Sequence, residues 1–113
     1  MVVAAQEVQT WFDPPLQPYL SPRSVNWWAA VVDPVTKLPL ALPSGGSIVF
    51  RWRQPGGSFT SVTSATISTG IYECLFQITP AMVGKLILNV AVLDSSSNTV
   101  GQNTAILVVY PAS

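Results

Sequence analysis

Histidine is absent from this chain, cysteine occurs once, and only 9% of the residues are charged. Each shortage removes a class of chemistry. Without histidine there is no Ser-His-Asp or Cys-His nucleophile system. One cysteine and no histidine cannot supply an ordinary zinc site, and a single cysteine cannot close a disulfide within the chain. Five Lys and Arg side chains against five Asp and Glu give zero net charge. That is a poor footprint for nucleic acid, whose affinity comes largely from cations that neutralise phosphates. The carboxylates Glu7, Asp13, Asp33, Glu73 and Asp94 are scattered. They form neither the facing pair of a glycosidase nor the dense acidic loop of a calcium site. Gly45-Gly46 and Gly56-Gly57 lack the lysine and the following helix of a phosphate loop. The chain is therefore expected to be no enzyme, to use no cofactor or metal, and to bind no nucleic acid.

Long hydrophobic runs are missing too, although 49% of the residues are hydrophobic. A spanning helix needs ~20 consecutive apolar residues. The longest apolar runs, Trp27–Val32, around Val90–Leu93 and Ala105–Tyr110, are far shorter. The strands are too few for one copy to make a transmembrane barrel. Residues 1–7 carry neither the basic leader nor the apolar segment of a signal peptide. The expectation is no membrane, with synthesis and folding in cytoplasm, where a lone thiol stays reduced.

The 113 residues amount to about one domain. Residues 1–22 differ from the rest. Between Trp11 and Pro22 stand Pro14, Pro15, Pro18 and Pro22, with Trp11, Phe12 and Tyr19 among them. Proline fixes φ, lacks an N–H and pushes its predecessor towards extended geometry. An extended N-terminal arm over 1–22 is expected, its aromatics lying against something: the chain's own domain or, as the preferred expectation, a neighbouring subunit.

From Arg23 onward the pattern is strand after strand. Phe50 and Trp52 alternate with Arg51 and Arg53; Tyr72, Cys74 and Phe76 alternate with Glu73, Leu75 and Gln77; Leu88 and Val90 alternate with Ile87 and Asn89. This period of two marks half-buried strands. Pro55-Gly56-Gly57 and Asp94-Ser95-Ser96-Ser97-Asn98 are turn clusters between them. Such spacing predicts an all-β, antiparallel sandwich of about seven strands over 23–113. Its predicted core is Phe50, Trp52, Tyr72, Cys74, Phe76, Leu88, Val90, Ile106 and Val108. Ile87, Leu93, Leu107 and Val109 then face outward, and Cys74 is a small buried hydrophobe.

Gly70-Ile71-Tyr72-Glu73-Cys74 resembles the tyrosine-corner segment of immunoglobulin-like domains, where Tyr sits two residues before an inward Cys position. The stretch from Gly70 to Val92, with Thr79-Pro80 and Gly84, is similar to the end of filamin-type and bacterial Ig-like repeats. No partner cysteine exists for Cys74, which departs from the disulfide-braced pattern. The resemblance covers roughly residues 25–110 and implies an Ig-like β-sandwich. Small Ig-like domains of this kind serve as accessory modules in tailed-bacteriophage virions. By that resemblance the chain is expected to be a structural virion protein, foremost a capsid decoration or cement protein and otherwise a tail or head–tail accessory. Its partners would then be major capsid or tail proteins, with homo-oligomeric or lattice-bound packing.

The residues supply a candidate surface of their own. Trp27 and Trp28 are adjacent, so alternation sends one inward and the other outward; Trp28 is placed outside, with the choice between the two left open. Large aromatics anchor interfaces, and sparse charge beside outward apolar residues marks an interaction surface. The expected partner-interface residues are Trp11, Phe12, Tyr19, Trp28, Ile87 and Leu93. Arg51 and Arg53 share one face of their strand and Glu73 the outward face of another, so a cross-strand ion pair is expected if the two strands are neighbours. The competing functional class is a carbohydrate- or receptor-binding module with exposed Trp as a stacking platform. The apolar neighbours Ala29-Ala30 and Val31-Val32 favour protein packing instead.

Overall fold

The computed structural model describes residues 6–13, 19–21 and 23–111. Its strands are β1 (Glu7–Asp13), β2 (Tyr19–Ser21), β3 (Arg23–Val32), β4 (Ser47–Arg53) and β5 (Thr60–Val62), then β6 (Ala65–Ser68), β7 (Ile71–Ile78), β8 (Gly84–Leu93) and β9 (Thr99–Pro111). A 3₁₀ turn spans Pro80–Met82. One sheet has the order β1-β3-β7-β6 and the other β2-β9-β8-β4-β5. All pairings are antiparallel except β2, which lies parallel to β9. The chain is all-β, two sheets packed face to face over one core. Among the described residues no helix is long and apolar enough to cross a membrane.

Alternation builds the core. In β7, Tyr72, Cys74, Phe76 and Ile78 are buried while Leu75 and Gln77 face out. Leu86, Leu88, Val90 and Val92 of β8 and Phe50 of β4 close the core from the second sheet, with Trp52 half-buried against it. Trp27 is the aromatic hub. It is fully buried, meets Phe50 edge-on at 5.0 Å and Phe76 at 5.8 Å, and stacks on Phe12 at 6.0 Å. Of the two adjacent tryptophans, Trp27 therefore points in and Trp28 out.

Two sequence expectations are corrected. The first concerns β9, whose phase is the reverse of the expected one: Leu107 and Val109 are buried, while Ile106 is 54% and Val108 37% exposed. Every residue from Ala105 to Tyr110 is apolar, so alternation carries no phase information there. The pairing Leu86↔Leu107 decides it, because Leu86 is already committed to the core. The second concerns the N-terminal segment. Residues 7–13, expected in an arm outside the sandwich, form a strand paired along its length with β3, from Glu7↔Val32 to Asp13↔Asn26. Val8 and Phe12 belong to the core. The Thr10 hydroxyl accepts a 2.8 Å hydrogen bond from the indole N–H of Trp27 and donates one of 2.8 Å to the Trp28 carbonyl. A buried indole N–H needs such a partner, so β1 completes the core as well as covering it. Pro14, Pro15, Pro18 and Pro22 lie outside the described residues; the backbone of Tyr19 forms part of β2, and its side chain lies outside them as well.

The two sheets approach most closely where β1 meets β9. The Gln6 amide donates to the Val100 carbonyl at 2.9 Å, and Asn103 Nδ2 donates to the Val8 carbonyl at 2.8 Å. Gly101 is required here: a Cβ on it would stand 2.3 Å from the Gln6 carbonyl oxygen. Gly70 serves the approach to β7. Its φ of +78° is left-handed, its carbonyl accepts from the Val31 amide at 2.8 Å, and a Cβ would crowd the Val31 oxygen at 2.9 Å. Tyr72, two residues on, is buried, and no described residue is hydrogen-bonded to its hydroxyl; burial raises its pKa.

Candidate functional site: an aromatic platform on an outer sheet face

Residues of β1, β3 and β7 that point away from the core form the outer face of the first sheet. Register fixes which of them meet. Trp11 lies opposite Trp28, and Trp28 lies opposite Glu73 on the next strand. Directly paired side chains stand with Cβ atoms roughly 5 Å apart, so the row Trp11–Trp28–Glu73 is contiguous. The two indoles are 6.2 Å apart between centroids and within 3° of parallel. Trp11 is 43% exposed and Leu75, in the adjoining row with Asn26 and Asp13, is 55% exposed. An open depression of about 440 Å³ sits over this region, lined by Trp11, Phe12, Asp13, Trp28 and Ile71.

The local reason for the platform is parity. Trp11 and Asp13 share a face of β1 because Val8, Thr10 and Phe12 take the other. Trp28 shares a face of β3 with Asn26 because Trp27 is drawn into the aromatic core. Apolar surface, two parallel rings and the carboxylates of Asp13 and Glu73 can bind by packing, stacking and charge.

The outer face of the second sheet holds a different set. The row Arg53–Ile87–Ile106 runs across β4, β8 and β9, with Lys85 paired to Val108 beside it. Ile106, Val108 and Tyr110 are exposed. Phe59, 41% exposed, lies under both guanidinium groups, 4.7 Å from Arg51 and 5.4 Å from Arg53. Asn89 is buried on this face at 3% exposure. It accepts a 2.9 Å bond from Arg51 Nε and donates to Thr104 Oγ1 at 3.1 Å. The expected Arg51 or Arg53 pairing with Glu73 does not form, since β4 and β7 belong to opposite sheets. The described ion pair is Lys37–Glu7.

The expected interface residues therefore separate. Trp11 and Trp28 come together on the first sheet. Ile87 and Leu93 are half-buried on the outer face of the second, on the other side of the molecule. Phe12 is 6% exposed and serves the core, so it leaves the surface set. Ile71, Leu75, Phe59 and Tyr110 join it. The first two were legible as the off-phase residues of β7; Phe59 carries no pattern because it stands in a loop. Cys74 is 1% exposed, and burial, followed by the nearby Glu73 charge, pushes its thiol up to about 11. Among the described residues no group of three or more Cys, Asp or Glu side chains could hold a metal ion. No family model matches the chain, and no curated protein is similar to it.

Proposed function

We propose that this chain is a non-enzymatic structural protein of a tailed-bacteriophage virion, an Ig-like sandwich made in the host cytoplasm and packed in many copies on capsid or tail proteins. The observation that carries the proposal is the Trp11–Trp28 pair. Two large aromatics stand side by side on an outer sheet face while the fold already has its own aromatic core. Leu75 and Ile71 extend that surface, and Ile106, Val108 and Tyr110 expose a second apolar strip on the opposite sheet. A chain with 9% charged residues has little to keep such faces apart in free solution, and large apolar patches mark interaction sites. Capsid decoration is the preferred role within this class, and the Ig-like resemblance of residues 25–110 supports the virion setting.

The test is to mix purified protein with particles that lack it and count bound copies. Hundreds of copies support capsid decoration, and about six or twelve, following the symmetry of a vertex or tail ring, a tail or head–tail position. A protein that ignores every particle contradicts the proposal.

A second reading has its own observation: the parallel rings of Trp11 and Trp28 are bordered by Asp13, Asn26 and Glu73. A flat aromatic surface beside polar side chains suits a sugar ring. The apolar neighbours in sequence do not speak against it, because the neighbours in space are these polar groups. Glycan-array binding that is lost in Trp28→Ala, with no particle binding, would make this the function.

A further inference from the structure

The strands of this protein are charged by sheet. In a chain with ten charged residues, β1, β3, β6 and β7 of the first sheet contain Glu7, Asp13, Glu73 and one base, Arg23. The second sheet contains Arg51, Arg53 and Lys85 and no carboxylate in any strand. Parity places the carboxylates of the first sheet and the three cations of the second on outer faces; the side chain of Arg23 lies outside the described residues. Glu7 and Asp13 share the outward side of β1 with Trp11, and Glu73 the outward side of β7. Arg51 and Arg53 share the outward side of β4, and Lys85 that of β8. Glu7 is engaged by Lys37, which leaves Asp13 and Glu73 on either side of the tryptophan pair. On the second sheet Arg53 and Lys85 border Ile87, Ile106 and Val108 in the same way. Each outer face is thus an apolar strip flanked by like charges, and the two faces differ in sign.

A face of this kind repels its own image and attracts the opposite face. We infer that the outer face of the first sheet docks on the outer face of the second sheet in another copy of this chain, head to tail. The inference rests on the reading of the protein as a many-copy assembly component and names the surface through which copies meet. Two identical faces would bring carboxylate to carboxylate or cation to cation, a juxtaposition that suppresses self-pairing when desolvated. The unlike pairing sets Asp13 and Glu73 against Arg53 and Lys85, and Trp11 and Trp28 against Ile106 and Val108. A heterologous contact leaves one face of each kind open at the ends, so it propagates as a ring or an open row.

The test is sedimentation velocity over a concentration series at low and high salt. The wild type is expected to form oligomers that grow with concentration and shrink as salt screens the charges. Two full-length variants reverse one face each: Asp13→Lys with Glu73→Lys, and Arg53→Glu with Lys85→Glu. Arg51 is left in place because it caps the buried Asn89. Circular dichroism and melting confirm that both remain folded. Each alone is expected to need at least about tenfold more protein to associate, since a like-charge contact costs more than the 1.4 kcal/mol of one decade. Mixed in equal amounts, the two carry complementary faces and oligomers return. Three results overturn the inference: a wild type that is monomeric throughout, a variant that associates alone as the wild type does, or a mixture that stays monomeric. A monomeric wild type that nonetheless coats particles overturns this inference and leaves the assembly reading standing.

Discussion

Phe12→Ala separates a core strand from a detachable arm. Phe12 is 6% exposed, stacks on the fully buried Trp27 at 6.0 Å and lies on a strand paired with β3. Truncating a buried Phe to Ala costs about 3–5 kcal/mol, from lost transfer energy and the cavity left behind. β1 is an edge strand and can settle partly into the space, so the lower end, about 3 kcal/mol, is expected. That is a large share of the roughly 5–15 kcal/mol that stabilises a domain, and it lowers the melting temperature by more than about 10 °C. Trp11→Ala is the matched control. Trp11, next to Phe12 on the same strand, points outward at 43% exposure, so about 1 kcal/mol is expected, mostly the stacking on Trp28. Urea titration followed by circular dichroism reads both. If Phe12→Ala costs no more than Trp11→Ala, residues 7–13 do not belong to the core and the assignment of β1 fails.

Four further outcomes follow from the structure. Cys74 resists alkylation until the protein unfolds, and fast labelling of native protein would contradict its burial. Its native pKa lies above the ordinary 9.0, at about 11, so its contribution to stability is complete below about pH 9 and is lost as pH rises towards 11; urea midpoints fall over that interval, and less so in Cys74→Ala. Asp33 and Asp94 act with the opposite sign. Backbone amides of Thr36 and Val35 on Asp33, and of Asn98 and Ser96 on Asp94, lower their pKa values. Their contribution is present above the ordinary carboxylate range and is lost as pH falls through the lowered values, a loss that melting curves show in the parent and not in a doubly Ala-substituted variant. Gly101→Ala forces its Cβ against the Gln6 carbonyl oxygen and destabilises by about 1–3 kcal/mol, measured by urea unfolding; a neutral result would mean the contact between residues 6 and 101 is looser than described.

The sequence disclosed the strands whose two faces differ in chemistry. In β7, Glu73 and Gln77 leave only one phase for Tyr72, Cys74 and Phe76, and the arginines of β4 do the same for Phe50. In β9 both phases are apolar at the end of the strand, and only pairing with β8 sets them. The N-terminal segment misled for a related reason. Its prolines lie at 14, 15, 18 and 22, beyond Asp13, whereas Glu7–Asp13 is free of proline and alternates Val8, Thr10 and Phe12 with Gln9 and Trp11. The strand signal is local to these seven residues, whereas the prolines belong to the stretch that follows. The platform itself was half legible. Parity puts one tryptophan of the Trp27-Trp28 pair outside, but the meeting of Trp11 with Trp28 depends on β1 pairing with β3. The separation of Glu73 from Arg51 and Arg53 depends on which sheet each strand joins, a property no local window contains.

The proposed function requires the outward sheet faces to be the surfaces that meet partners. Hydroxyl-radical footprinting with mass spectrometry tests it residue by residue, on the free protein and on assembled particles. Trp11 and Trp28 are expected to oxidise readily in the free protein and to be protected in the particle, with Trp27 unreactive in both. Equal oxidation of Trp11 and Trp28 in the two samples would contradict the claim.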